Sequence, residues 1–152
     1  MKLKLLAALC LVAFAVTTFT AARPAPQAAA SGASLYKRLG GYDALAAVTD
    51  DFIGRLASDK QLARFFGGLS SDSQKRLRQH VVDFLCAATG GPCFYTGRDM
   101  KTAHSGLNIT DADWEAAVSD LKATLAKFKV PDKEQSEVLA AISSLKPDIV
   151  GH

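Results

Sequence analysis

The segment from Phe84 to His104 holds the residues best suited to do chemistry. It begins at the end of an apolar helical stretch, continues through Gly90-Gly91-Pro92 and ends at His104, four residues after Met100. Residues four apart share one face of a helix, so Met100 and His104 would present a soft apolar side chain and an imidazole to the same space. An imidazole that faces a cavity between helices is the arrangement that a b-type haem needs for its proximal ligand.

A second histidine, His80, lies within an apolar helical stripe that contains Leu77, Val81 and Phe84. An unsatisfied imidazole buried in such a stripe costs about 1–3 kcal/mol, so it needs a partner. Two histidines on different helices could approach one metal from opposite sides. The alternative is that His80 lies at the edge of the stripe and reaches water. A lone histidine on a helix face is more often structural than a ligand, so His104 alone identifies no function.

Other chemistries have no supporting residues. The chain contains no Ser–His–acid motif, no phosphate-binding glycine loop and no CxxC motif. A zinc site needs four ligands, which two histidines and a cysteine pair that could be joined in a disulfide supply poorly.

The amino terminus has the pattern of a signal peptide. Basic residues precede an apolar run from Leu5 to Val16, and small residues up to Ala22 follow, which predicts a cleaved leader over residues 1–22. Residues 23–33 have the composition of a disordered linker. A single domain then occupies residues 34–150, and we expect the protein to be exported, most simply to a bacterial periplasm.

The remaining charge argues against two classes of partner. The leader carries two of the 18 lysines and arginines, which leaves 16 against 15 acidic residues and a formal charge of +1. The basic residues are scattered, so neither nucleic acid nor a membrane surface is an expected partner after leader cleavage. We expect a monomer.

Leader removal leaves only Cys86 and Cys93 in an exported chain. Oxidising compartments favour a disulfide, and the Gly90-Gly91-Pro92 turn between the two cysteines could bring their sulfurs together. Such a bridge would add roughly 2–3 kcal/mol. The alternative is a small core residue at Cys86 and a free thiol at Cys93.

The elements that must position these residues are helical nearly throughout, with no clear strand pattern. Apolar spacing predicts a first long helix through residues 45–56 and a second over about Ser73–Ala88. A short turn carrying Phe66 lies between them and stops at Gly67-Gly68. We therefore predict an all-α domain.

The second half of the chain follows the same pattern. The segment from Cys93 to about Lys101 is predicted as loop, with a short helical piece carrying His104. Thr110 and Asp113 have the spacing of a capping box for a strong third helix. Pro131 is expected near the first position of the last helix. The total is four main helices plus short turns.

Several motifs resemble those of group I truncated haemoglobins, and the resemblance covers Ser34 to Val150. The segments that carry it, in order, are Ser34–Tyr42, Gln61–Phe66, Gly90–Pro92, Tyr95–Gly97, Met100-Lys101, His104 and Gly106–Thr110. The resemblance implies a truncated globin fold, a two-over-two helical sandwich around one haem b with its iron.

The resemblance also implies roles for individual residues. His104 matches the proximal iron ligand, with its other ring nitrogen expected to donate to a backbone carbonyl. Phe66 matches the residue that packs on the haem face, and Met100 and Phe84 match pocket-lining positions. Arg98 and Lys101 are candidate partners of the haem propionates, with a solvated face as the alternative.

The distal side departs from the best-known members of that family. Ile53 occupies the position of their oxygen-binding tyrosine, and Leu77 and Val81 stand where glutamine is common. Without these donors, bound oxygen should be retained weakly. His80 matches a position at which some cyanobacterial relatives carry a sixth iron ligand, so we expect bis-histidyl ligation by His104 and His80. The alternative is that His80 swings outward and leaves a five-coordinate site. The stretch from Gly67 to Ser73 is longer than usual, so the match of His80 to that position is weaker than the match of His104.

Three functions are compatible with these residues. The first is reversible binding of a diatomic gas, oxygen or nitric oxide. The second is an enzyme on the same haem, a nitric oxide dioxygenase or a peroxidase-like activity, which would need an unknown reductase. The third is periplasmic electron transfer or redox sensing, for which a six-coordinate haem and a switchable cysteine pair would be suited.

Overall fold

The computed structural model describes residues 32–152. The predicted leader over residues 1–22 and the linker up to residue 31 lie outside the described residues. Within the described part, the chain forms seven α-helices and one 3-10 turn. In order these are α1 (Leu35–Arg38), α2 (Gly41–Ser58), the 3-10 turn (Ala63–Phe65), α3 (Ser71–Ala88), α4 (Met100–His104), α5 (Asp111–Lys127), α6 (Asp132–Ser143) and α7 (Lys146–Ile149).

The prediction of an all-α domain is confirmed, because residues 32–152 contain no strand. The four long helices α2, α3, α5 and α6 are the four main helices expected from the apolar spacing. Helix α2 contacts both α3 and α5, and α6 contacts α1 and α5. None of the helices in the described part is both long and apolar enough to cross a membrane.

The core forms where α2, α5 and α6 meet. Its buried cluster consists of Val48, Leu121, Leu125 and Val138. Partly buried apolar residues surround this cluster, and they include Phe52. Burial of such side chains supplies most of the free energy that holds the helices together, at roughly 1.5–3 kcal/mol for each fully buried side chain.

Helix α5 begins as its sequence predicts. The Thr110 hydroxyl accepts a hydrogen bond from the backbone N–H of Asp113 at 3.2 Å, and the Asp113 carboxylate accepts one from the Thr110 N–H at 2.9 Å. These reciprocal bonds form a complete capping box. They satisfy two backbone donors that the first turn of a helix otherwise leaves free.

Two other helix starts differ from the sequence prediction. Helix α3 begins at Ser71 rather than Ser73, because the Ser70 hydroxyl accepts from the Ser73 N–H at 3.2 Å and so caps an earlier turn. Pro131 is the residue before α6 rather than its first residue. One further short helix, α7, follows α6.

The carboxyl-terminal segment is attached to the chain that follows α4. The N–H of Gly151 donates to the Ile109 carbonyl at 2.9 Å, and the N–H of Asn108 donates to the His152 carbonyl at 3.0 Å. Helix α7 also contacts α4. These contacts support the short helix that carries His104.

Candidate functional site

Helix α4 is only five residues long and depends on its cap. The Asp99 carboxylate accepts from the Thr102 N–H at 2.9 Å and from the Thr102 hydroxyl at 2.7 Å. These bonds from Thr102 hold the pKa of Asp99 below its usual range. A charged side chain at this end also interacts favourably with the helix dipole. The cap therefore defines where α4 begins and in which direction it carries His104.

The imidazole of His104 is half-buried and oriented by its own helix. Its Nδ1 lies 2.7 Å from the Met100 carbonyl oxygen. A carbonyl can only accept, so Nδ1 must carry the proton of that hydrogen bond. In a neutral imidazole this leaves the lone pair on Nε2, which is the state in which histidine binds a metal. Sequence reasoning expected this bond to a backbone carbonyl.

A cavity of about 440 Å³ opens between α2, the 3-10 turn and the start of α3. Its walls are formed by Asp50, Ile53, Gly54, Ala57, Ala63, Phe66, Gly67, Leu69, Gln74 and Leu77. Its volume lies within the range of small-molecule sites in proteins. The structure thus places three of the predicted site residues, Ile53, Phe66 and Leu77, around one space.

Phe66 directly follows the 3-10 turn, and this turn is anchored to the start of α5. The buried Asp113 carboxylate accepts from the Gln61 side-chain amide at 2.9 Å and from the Arg64 guanidinium at 2.7 Å. Bonds from Thr110 and Gln61 hold the pKa of Asp113 well below its usual range. Asp113 therefore serves both as a helix cap and as the anchor of the turn that precedes Phe66.

His80 lies on α3, and one of its ring nitrogens has an unusual environment. Its Nδ1 is buried and has no hydrogen-bond partner among the described residues. Its ring meets the Tyr95 ring edge to face, with centroids 6.1 Å apart. A buried polar atom without a partner is rare enough in native proteins to require an explanation, and an absent ion or ligand is one.

Tyr95 contacts more of the site than His80 alone. Its ring also meets Phe84 edge to face, at 5.3 Å between centroids. Its hydroxyl donates to the Arg98 carbonyl at 2.7 Å. Burial, followed by the nearby Asp99 carboxylate, raises the pKa of the Tyr95 hydroxyl. The hydroxyl is therefore a neutral donor at physiological pH.

Cys86 and Cys93 form a disulfide, with their Cα atoms 5.7 Å apart. Cys86 is fully buried near the end of α3, and Cys93 lies in the loop that leads to Tyr95. Gly91 makes the turn between them possible. A Cβ on Gly91 would lie 2.6 Å from the Cys86 sulfur and 2.6 Å from the Tyr36 ring, so no larger residue fits.

Comparison with known proteins decides the family. The model of the bacterial-like globin family matches residues 34–150. The chain belongs to this family. It is 40% identical over 120 residues to a group 1 truncated haemoglobin of Mycolicibacterium paratuberculosis, covering 79% of this chain and 86% of that protein. It is 30% identical over 118 residues to one of Tetrahymena pyriformis, covering 78% of this chain and 95% of that protein.

Solved structures give the same family. The truncated haemoglobin of Tetrahymena pyriformis in its Fe(III) form superimposes with a TM-score of 0.72 at 29% identity, over 79% of this chain and all of the other. The 2/2 haemoglobin of a Synechococcus species, in the cyanomet state with covalently attached haem, superimposes with a TM-score of 0.71 at 29% identity, again over 79% of this chain and all of the other. The predicted two-over-two truncated globin fold is therefore confirmed, and the chain is a haem-binding truncated haemoglobin whose cofactor carries iron.

The residues of this truncated haemoglobin fit a haem. The bond at His104 Nδ1 leaves Nε2 as the nitrogen that can bind a metal, and Ile53, Phe66 and Leu77 give apolar walls to a cavity that neither His104 nor His80 lines. When bound, the haem would supply an iron centre that can bind a small ligand and change its oxidation state. Arg98 and Lys101 are exposed and make no ion pair within residues 32–152, so both are free to meet propionates. Their role remains a prediction.

Other predicted residues of this globin lie apart from the cavity described above. Phe84 lines a different, apolar cavity of about 190 Å³ between α3 and α6, together with residues such as Val138 and Ile142. Val81 and Met100 are half-buried and line neither of these two cavities. The structure connects Phe84 with His80 through Tyr95 instead.

Sequence reasoning gave no role to Tyr95 or Asp99. Asp99 could have been found, because an aspartate three residues before a threonine, ahead of a helical piece, is a typical capping pattern. The role of Tyr95 could not have been found from the sequence. His80, which it contacts, is fifteen residues away in the chain, and the contact depends on how the intervening loop folds back.

Proposed function

We propose that this truncated haemoglobin reversibly binds a diatomic gas, oxygen or nitric oxide. We further propose that His104 and His80 both hold the haem iron while no gas is bound. The observation that carries the proposal is the hydrogen bond between His104 Nδ1 and the Met100 carbonyl, at 2.7 Å. It prepares Nε2 as a metal ligand.

The proposed role of His80 is supported by its buried ring nitrogen. Leaving a polar atom buried without a partner costs about 1–3 kcal/mol. Protein contacts do not compensate this cost, because Tyr95 offers the ring only an edge-to-face contact. A metal bound directly by this nitrogen would compensate it.

The walls of the cavity support gas binding without tight retention. Ile53 and Leu77 offer only hydrocarbon to a ligand in this space. Gln74, which also lines it, already donates its side-chain amide to the Leu69 carbonyl at 3.2 Å. With few free donors, the side chains of the cavity should hold a small apolar gas by shape and not by hydrogen bonds. We therefore expect rapid release of oxygen.

Absorption spectra of the haem-loaded protein test the ligation directly. We expect the ferrous protein without gas to be low-spin, and the His80→Ala variant to be high-spin. Gln79→Ala provides a matched control, because Gln79 is the exposed neighbour of His80 on α3. Its spectrum should equal that of the wild type. If His80→Ala leaves the spectrum unchanged, bis-histidyl ligation is wrong and the distal site is open.

A second candidate function is redox sensing or electron transfer. It is favoured by the position of the disulfide, because Cys86 lies on the same helix as His80 and Cys93 lies two residues before Tyr95. A dithiol that reduces the bridge gives up two electrons and two protons and yields two cysteine thiols. If this candidate is right, Cys93→Ser should change the reduction potential of the haem. An unchanged potential leaves the bridge with a structural role.

We also propose that the protein is exported to a bacterial periplasm with its leader removed. The Cys86–Cys93 disulfide supports an oxidising compartment. Mass spectrometry of the protein from fractionated cells provides the test. We expect a periplasmic product that begins at Arg23, whereas a full-length product in the cytoplasmic fraction would contradict export.

A further inference from the structure

Tyr95 lies between the two elements that carry the proposed iron ligands. On one side its ring meets the His80 ring of α3, with centroids 6.1 Å apart and planes at 80°. On the other side its hydroxyl donates at 2.7 Å to the carbonyl of Arg98, the residue before the cap of α4. Tyr95 is therefore in contact with both the His80 helix and the start of the His104 helix.

The position of the Tyr95 ring is restricted on several sides. Phe84 meets it edge to face at 5.3 Å. Gly97 lies directly against it, since a Cβ on Gly97 would come within 2.3 to 2.6 Å of the outer atoms of the ring. The disulfide at Cys93, two residues earlier, ties the start of this loop to α3. These contacts restrict the orientations that the Tyr95 ring can adopt.

We propose that Tyr95 is a positioning residue that holds the His80 imidazole in the orientation required for iron ligation. The proposal rests on the proposed bis-histidyl state, and it adds the residue that controls the balance between bound and released His80. His80 Nδ1 has no hydrogen-bond partner among the described residues, so no polar contact there orients the ring. Its edge-to-face contact with Tyr95 then contributes to limiting the rotation of the imidazole.

The size of the effect follows from the nature of the contact. Edge-to-face aromatic pairs have centroids 4.5–7 Å apart, and the His80–Tyr95 distance lies within that range. The known strength of such pairs corresponds to a change of about 2- to 12-fold in an equilibrium constant. We therefore expect Tyr95→Leu to raise the ratio of five- to six-coordinate haem by that factor.

A first experiment tests the contact without using iron ligation. The protein is loaded with zinc protoporphyrin, which is diamagnetic and takes a single axial ligand. Proton–carbon NMR then follows the imidazole resonances, which are few because the chain has only three histidines. His80→Ala identifies the His80 signals. Tyr95→Leu should shift them through loss of the aromatic ring current, and unshifted signals would overturn the proposal.

A second experiment measures the consequence for ligation in the haem-loaded protein. Absorption spectra give the five-coordinate fraction, and stopped-flow mixing gives the carbon monoxide binding rate, which is limited by His80 release. Tyr95→Leu should raise the ratio of five- to six-coordinate haem and the carbon monoxide binding rate by about 2- to 12-fold. In a His80→Ala background the same substitution should leave the carbon monoxide rate unchanged, because Tyr95 then has no ligand to restrain. An equal effect in both backgrounds would overturn a positioning role.

Two further variants separate the ring from its surroundings. Tyr95→Phe keeps the ring and loses only the hydroxyl bond to Arg98, so it should remain closer to the wild type than Tyr95→Leu. Gly97→Ala leaves both aromatic residues intact, but its new methyl group must displace the Tyr95 ring. Gly97→Ala should therefore behave like Tyr95→Leu. If it matches the wild type while still folding, the ring does not need to be where the structure places it, and the proposal is wrong.

Bis-histidyl ligation and the positioning role of Tyr95 are refuted by different results. If His80→Ala leaves the wild-type spectrum unchanged, the proposed ligation is wrong, although the zinc-loaded protein can still show the Tyr95 contact. If His80→Ala does change the spectrum but Tyr95→Leu does not, ligation stands and the positioning role of Tyr95 is refuted.

Discussion

Removal of the Cys86–Cys93 disulfide should have an effect whose size follows from its position. The bridge closes a loop with a sequence separation of 7 residues. The chain-entropy relation for a loop of this length gives about 2.4 kcal/mol of stabilisation at 25 °C. That corresponds to about a 50-fold change in the folding equilibrium constant. Cys93→Ser is the appropriate substitution, because Cys93 is partly exposed whereas Cys86 is fully buried.

Urea-induced unfolding provides the measurement. The wild type and Cys93→Ser are compared at one concentration of protein and haem, because bound haem contributes to apparent stability. With a typical urea dependence for a domain of this size, the midpoint should fall by roughly 1–2 M. Thr96→Ala is a matched control in the same loop, at an exposed position outside the bridge. Its midpoint should remain near that of the wild type.

A reductant separates the bridge from other effects of the substitution. Dithiothreitol should lower the midpoint of the wild type to that of Cys93→Ser and should leave the variant unchanged. If the wild type and the variant differ by less than about 0.5 kcal/mol, the bridge does not constrain the unfolded chain as reasoned. The disulfide would then make no measurable contribution to holding the loop that carries Tyr95.

Three further predictions concern the cavity, one helix cap and the ion pairs of Asp51. Ile53→Tyr adds a hydroxyl to the cavity and should slow oxygen dissociation about five- to tenfold, as one new hydrogen bond would; an unchanged rate in flash photolysis would show that position 53 does not face the gas. Thr110→Ala should destabilise the protein by about 1 kcal/mol in urea unfolding, and Thr110→Ser should restore the cap; equal stability of all three proteins would contradict it. The cations Lys127 and Arg55 lower the pKa of Asp51 to about 2, so its stabilisation is complete above pH 4 and is lost as the pH falls through 2. The stability difference between wild type and Asp51→Asn should therefore close between pH 5 and pH 2, and a difference that stays constant would refute it.

Local patterns predicted those parts of the fold that depend on neighbouring residues. The capping box at Thr110 and Asp113 is formed as its spacing indicates, and the short helix that ends at His104 lies where the loop was expected to end. Both depend on interactions within four residues along the chain. The start of α3 was missed by two residues, because the capping oxygen belongs to Ser70 and not to a residue nearer the apolar stripe.

The parts of the site that depend on distant contacts could not be predicted in this way. The pattern on α3 placed His80, Leu77 and Phe84 on related faces, but the structure distributes them over different surroundings. Leu77 lines the cavity near α2, and Phe84 lines the cavity near α6. The role of Tyr95 depends on the path of the loop after the disulfide, which no periodicity describes.

The bond between the haem iron and His104 is the central claim, and a haem titration of protein lacking residues 1–22 tests it most directly. We expect the wild type to bind one equivalent of haem and to keep its Soret band through gel filtration. His104→Gly should show an altered spectrum, and added imidazole should restore the wild-type form by occupying the vacated position. A folded wild type that stays colourless, or a His104→Gly spectrum identical to that of the wild type, would contradict the account.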